Sequence, residues 1–397
     1  MKKKTVTGFF AVLTFLLATV ALQLFFNKDH YFAMNRAKCS FTMIVLIGAV
    51  VTSVVKPIER IWQKQVKQKM TLLDWSVLVF GISSLITCVL SQAPELTLVG
   101  TKGMFVGGFT YFTGMLVYFV VSRNMIPTKW IVRVFVLCWI AIFVWTIANQ
   151  CGTDLFGMHE NMKPADMKYY VSSMGNANSA SDAFATMVPF VVILMVMTTN
   201  TFEKFLWAIT CFIGMLASFS LVCDGIYIGL LAMMPFVLVT ALSNLKNVNK
   251  TAMLLLIVGL ALSVYHFLCI CSVLKSPSGI IYRVSNFWVG ELLTVMSIIF
   301  FILINYGVLK FNEISLRITR ISLSWTFAAI LIGFVALSVV KSFYDINYGN
   351  TRGAIWKGCI REKAIRYFTY IATIESLAAF SLGCYMAFVN WNVWVFA

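Results

Sequence analysis

Apolar runs long enough to cross a bilayer recur from one end of the chain to the other, and short polar or basic segments separate them. About twelve can be counted, over residues 8–26, 39–55, 72–90, 104–121, 131–148, 180–199, 205–222, 226–242, 252–271, 287–306, 321–340 and 367–388. This pattern predicts an all-α, polytopic integral membrane protein. The first run follows Lys2-Lys3-Lys4 and has the shape of a signal peptide, but no small-residue cleavage site is evident after it, so it reads as an uncleaved first span.

The polar segments orient these spans, because Lys and Arg concentrate in short cytoplasmic loops. With the N-terminus inside, the cytoplasmic loops hold Lys56, Arg60, Lys64, Lys67 and Lys69, then Arg123, Lys129 and Arg133, then Lys246 and Lys250, then Lys310, Arg317 and Arg320. Both termini are then cytoplasmic. One external loop, 341–366, breaks the rule with Lys341, Arg352, Lys357, Arg361, Lys363 and Arg366. Either a span is miscounted and this loop lies inside, or its cations meet a lipid diphosphate or anionic headgroups. The other external segments are 91–103, the longest polar stretch 150–178, a tight turn at Cys223-Asp224-Gly225, and 273–286.

Composition agrees with the pattern: 397 residues, 60% hydrophobic and 12% charged, carry more apolar surface than a soluble core of that size buries. Mean hydropathy is +0.87. The net charge of +16 is spread over membrane edges rather than gathered in one patch, which fits anionic lipid and argues against nucleic acid. Most of the ten cysteines fall inside predicted spans, without a CxxC pair or metal-ligand spacing, and read as small packing residues. No phosphate-binding loop, soluble domain, linker or repeat is visible, so residues 1–397 read as a single membrane domain without metal or cofactor.

Six sets of residues carry candidate chemistry. The run Tyr348-Gly349-Asn350-Thr351-Arg352-Gly353-Ala354-Ile355-Trp356-Lys357 sets arginine, tryptophan and lysine just outside the apolar spans. Around Lys102, the glycines Gly100, Gly103, Gly107 and Gly108 permit close backbone approach or a re-entrant turn, or simply helix packing. Segment 172–182, with Asn176 and Asn178, offers a helix N-terminus to an anion or sugar hydroxyls, beyond the one residue that capping needs. Asp224 stands in a very short turn, as a substrate contact or an exposed turn residue. Glu291 and Glu375 lie in spans, as functional or structural carboxylates, or as proton sites of a transporter. Of three histidines, His266 reads as a packed neutral imidazole, while His159 and His30 are the external candidates for a base.

In this order, Gly103–Arg123, Gly175-Asn176-Ala177-Asn178 with Pro189, Asp224–Leu230 and Gly349–Trp356 resemble the O-antigen ligase and polymerase family, most closely its Gram-positive members. The resemblance implies a GT-C-like architecture in a bacterial cytoplasmic membrane. It also implies transfer or polymerisation of a glycan from an undecaprenyl diphosphate carrier at the outer face. Arg352 and Trp356 match the family pattern. The family's arginine in the glycine-rich stretch is replaced near Met104, with Lys102 the nearest cation, and many members carry arginine where Asp224 stands. After Trp356 the family continues into a long external loop with a His-Asn pair, whereas here Lys357–Arg366 leads directly to Tyr367.

The resemblance and the residues taken together give a candidate site with Arg352, Asp224 and His159 in catalysis and Lys102, Asn176, Asn178, Asp345, Trp356 and Lys357 in binding. Its partners would be a polyprenyl-diphosphate-linked glycan, a glycan or lipid acceptor, and the bilayer. Arg352, Lys357 and Lys102 are suited to the departing diphosphate oxygens, and Asp224, Asp345 or His159 to the acceptor hydroxyl. The missing loop leaves open an active enzyme or a degenerate relative. Two other readings stay open: a polysaccharide or lipid-carrier flippase, in which Glu291 and Glu375 would outweigh Arg352, and a non-catalytic partner in envelope-glycan assembly.

Overall fold

The structure is a computed structural model that describes residues 6–26, 30–63, 69–100, 105–227, 229–230, 237, 241–242, 245–275, 277, 279–309 and 311–344. Among these, helices dominate, and the strands are the two-residue pair β1 (Tyr170–Val171) and β2 (Gly175–Asn176), antiparallel with Tyr170 opposite Asn176. Among the described residues, seven helices are long and apolar enough to cross a membrane, or eight if a bent pair counts as one span. The protein is thus an all-α, membrane-embedded chain. The expected runs 226–242, for the most part, and 367–388 lie outside the described residues.

Contacts gather the chain into two compact units. The first runs to Cys138 and takes in Gly157–Glu160. Its helices are α1 (Val6–Leu24), α2 (His30–Gln63), α3 (Leu72–Val89), the short α4 (Pro94–Val99) and α5 (Gly108–Asn124), and α1, α2, α3 and α5 pack against one another. The start of α1 is capped from far along the chain. The amides of Val6 and Thr7 each donate to a Glu59 carboxylate oxygen at 3.0 Å, and Thr7 Oγ1 donates as well. A carboxylate satisfies the free amides and the positive end of the helix dipole together, and this cap puts the first residues of α1 beside the last turns of α2.

At the glycine-rich stretch, close backbone approach and packing both occur. A Cβ on Gly107 would collide with the Leu98 carbonyl oxygen, and one on Gly108 would collide with Cys88 Sγ. The stretch therefore folds back on the chain just before it, and the following helix packs closely on α3.

The second unit begins at Trp139, within α6 (Lys129–Gln150), and continues through Phe156 and then from Asn161. It contains α7 (Pro164–Met167), α8 (Ala177–Met197), α9 (Thr201–Ser220), α10 (Val248–Ile270), α11 (Gly279–Ser285), α12 (Val289–Asn305) and α13 (Glu313–Tyr344). Its core joins α6, α8 and α9: the rings of Phe143 and Phe184 meet edge to face at 4.8 Å, and Gly214 makes room for Phe143. Elsewhere large apolar side chains face outward, as at Phe267, 63% exposed, and Leu292, 64% exposed, which suits a surface solvated by lipid rather than water.

The closest helix pair is α10 with α12. A Cβ on Gly259 would meet Thr294 Oγ1 at 2.7 Å, and one on Gly290 would meet the Ser263 amide nitrogen at 2.6 Å. Small residues let the two backbones approach where no hydrophobic force drives helices together, so dispersion and short polar contacts hold the seam. Ser263 and Thr294 hydroxyls are 3.4 Å apart along it, and Asn249 donates to Asn305 at 3.3 Å at its far end.

Candidate functional site at one end of the second unit

The turn after α9, the start of α8 and the start of α11 come together. Asn176 caps α8 by accepting from the Asn178 amide at 2.7 Å, so capping consumes part of the polar run. Asn178 itself is exposed, and its Oδ1 accepts from Cys223 Sγ at 3.2 Å. Next to Cys223, Asp224 accepts from the Ile280 amide at 3.0 Å and so holds the first turn of α11. Gly279 has φ +86°, and a Cβ there would collide with Asp224 Oδ1, so glycine alone admits this clasp without strain. Two stretches separated by about forty-five residues in sequence thus share one end of the unit.

The hairpin packs at the same end. The Ser172 amide donates to Asn149 Oδ1 at 2.8 Å, the Gln150 side chain donates to the Lys168 carbonyl at 3.0 Å, and the Lys275 amide donates to the Gln150 carbonyl at 3.0 Å. Aromatic hydroxyls lie close by: Tyr227 is within electrostatic reach of Asp224, and Tyr265 within reach of Tyr227 and Tyr282. Outside the spans, burial pushes the Cys151 thiol above its ordinary value, and Lys275 partly offsets the shift.

About one helical turn from the end of α10, His266 pairs with Glu291 on α12, with Nδ1 2.8 Å from Oε1. His266 is buried, as expected for a packed imidazole, but it is packed against a carboxylate. Glu291 Oε2 is buried and has no hydrogen-bond partner among the described residues. The Trp288 ring stands edge-on to His266, with centroids 5.1 Å apart at 88°, and Trp288 has φ 57°, in the left-handed region. It lies at the break where α11 and α12 bend by 66°.

Of the residues expected from sequence, Asn176, Asn178 and Asp224 meet in this cluster. His159 belongs to the first unit, where it is 9% exposed and its ring lies 5.1 Å from that of Tyr31. Lys102, Asp345, Arg352, Trp356 and Lys357 lie outside the described residues, as do His30's side chain and Glu375. Sequence reasoning missed Tyr265 and Tyr282, and it treated His266 and Glu291 separately. Their pairing was signalled by position: α10 and α12 are successive long helices, and each carries its ionisable residue within about a turn of the end joined through α11. Among the described residues, no group of three or more His, Cys, Asp or Glu side chains could hold a metal ion.

Compared with known protein families, curated proteins and solved structures, the chain gives no match.

Proposed function

We propose that the protein is a membrane glycosyltransferase of the O-antigen ligase and polymerase type, acting on an undecaprenyl-diphosphate-linked glycan at the outer face of a bacterial cytoplasmic membrane. In this reading it has about twelve spans, a GT-C-like architecture and cytoplasmic termini. The observation that carries it is the meeting of Asn178, Cys223 and Asp224 at the start of α11, because two of the four resembling stretches share that cluster. Amide, carboxylate and tyrosine groups there suit sugar hydroxyls. Arg352, Lys357 and Lys102 would stabilise the departing diphosphate, and Trp356 would brace the arginine or stack on a sugar ring. The chemistry is a displacement in which an acceptor hydroxyl attacks the anomeric carbon and the diphosphate leaves with the electron pair.

Two measurements test this. In a deletion strain, carrier-linked glycan should accumulate while its transferred form disappears. In nanodiscs, Arg352→Lys should weaken binding of a polyprenyl diphosphate analogue by about 1–3 kcal/mol, because lysine cannot bind two phosphate oxygens with a planar fork. Arg361→Ala should cost about 1 kcal/mol or less. Equal losses would reduce the loop to a nonspecific lipid contact. The intramembrane His266–Glu291 pair favours a second reading, a carrier flippase, for which cytoplasm-facing carrier intermediates would accumulate with transfer chemistry intact.

A further inference from the structure

The resemblance leaves the transfer reaction without its histidine, yet the second unit holds one whose orientation is fixed by a carboxylate. We propose that His266 is the proton acceptor of the transfer reaction and that Glu291 is its positioning residue, an inference that rests on the transferase reading above.

The geometry is that of a base with its orienting group. Glu291 Oε1 lies 2.8 Å from His266 Nδ1, so a proton on Nδ1 is held by the carboxylate and the lone pair is left on Nε2. Among the described residues Nε2 makes no hydrogen bond. Glu291 Oε2 is likewise buried and unpartnered, a cost that a purely structural clamp between two helices would avoid by closing both oxygens.

Position points the same way. His266 is four residues from the end of α10, about 6 Å along the helix, which is close to the level of lipid headgroups rather than mid-membrane. The chain connects it to the Asp224 cluster in two ways. Its neighbour Tyr265 is within electrostatic reach of Tyr227, which is within reach of Asp224. In addition, α11 is clasped by Asp224 at Ile280 and leads to Trp288, whose ring meets His266. A tryptophan held at φ 57° stores backbone strain of the kind found at sites that must hold a group in place.

In the reaction, the acceptor hydroxyl oxygen bonds to the anomeric carbon as the bond to the diphosphate oxygen breaks. The hydroxyl proton passes to His266 Nε2, and Glu291 stabilises the imidazolium that forms. The other titratable groups near this end include Cys223, Asp224, Tyr227, Tyr265, Cys269, Lys275, Tyr282 and Arg283.

The test is turnover of a polyprenyl-diphosphate glycan by the full-length protein in proteoliposomes, followed across pH, with thermal stability and carrier-analogue binding measured on the same samples. His266→Gln should lower kcat about 100-fold or more, as expected for loss of a general base. Glu291→Gln should cause a smaller loss in kcat. Both should keep KM, carrier binding and melting temperature near wild type. If turnover, stability and binding all fall together, the pair is a helix clamp and the inference is overturned. If His266→Gln turns over normally, the inference fails while the transferase reading stands. A wild-type protein that binds no carrier and transfers nothing removes both.

Discussion

Each unit has a carboxylate near one end of a span, and the two are satisfied very differently. In the first unit, Asp74 sits at the start of α3 and both of its oxygens are occupied. Oδ2 takes the Thr71 amide at 2.6 Å, the Thr71 hydroxyl at 2.7 Å and the Arg123 guanidinium, while Oδ1 takes the Tyr118 hydroxyl at 3.0 Å. Thr71 completes the exchange by accepting from the Asp74 amide, which closes a capping box. Arg123 is anchored further by donating to the Lys69 carbonyl at 3.1 Å. In the second unit, Glu291 has one oxygen on His266 and, among the described residues, no hydrogen-bond partner for the other. Its side chain is 33% exposed, against 5% for Asp74. A saturated carboxylate ties α3 to α5 and has no capacity left for a ligand. A half-saturated one keeps capacity at a standing cost, and this contrast is why the proposed chemistry is placed at Glu291 and its histidine.

The comparison predicts a ranking of stability losses. Asp74→Ala should be the most damaging, about 3–5 kcal/mol, because it strands the Arg123 charge, frees the Tyr118 hydroxyl and removes the cap of α3 at once. Reversible unfolding in mild detergent would measure this. A loss under about 1 kcal/mol would mean that Arg123 finds water easily and that the network is peripheral.

Gly259→Val should follow, at about 1–3 kcal/mol, since the added carbons must displace Thr294 at a close contact of α10 and α12. The same change would disturb the register that brings His266 to Glu291, so turnover should fall with stability here. A stable Gly259→Val protein would show that the seam can open without strain.

Glu291→Ala should change stability by about 1 kcal/mol or less, in either direction. The variant loses one hydrogen bond to His266 but also removes a buried oxygen that has no partner. A loss as large as that of Asp74→Ala would erase the distinction between the two carboxylates, and Glu291 would no longer count as a reserved group.

The smallest effect concerns Cys151. Burial raises its thiol, so less thiolate is present at neutral pH, and maleimide labelling should be slower than at the exposed Cys271. Because the thiolate fraction grows only as pH passes the raised value, the rate should keep climbing beyond the ordinary thiol range. Lys275→Ala removes the cation that partly offsets the shift and should slow labelling further. Equal rates at the two cysteines would mean that the Gln150–Lys275 contact opens in solution.

The helices that keep closest to their expected runs are those whose cause is local. Residues 72–90, 131–148 and 252–271 became Leu72–Val89, Lys129–Gln150 and Val248–Ile270, because a long apolar stretch has one solution in lipid: every backbone group must bond within its own segment. The α8 cap was legible for the same reason, since Asn176 serves an amide two residues away. What could not be read locally is every pairing between helices. Glu59 reaches the start of α1 from 52 residues away, Arg123 reaches Asp74 across 49, and His266 reaches Glu291 across 25. Periodicity fixes which residues a helix carries, but the rotation of each helix about its axis and its depth against a neighbour are set by packing, as where Gly259 and Gly290 allow contact and bulkier residues would not. The sequence by itself therefore determined that this chain is a set of membrane helices. Only the tertiary structure decided that a buried imidazole and a lone intramembrane glutamate are one group, because a hydrogen bond between two spans depends on angles and depths that no single span encodes.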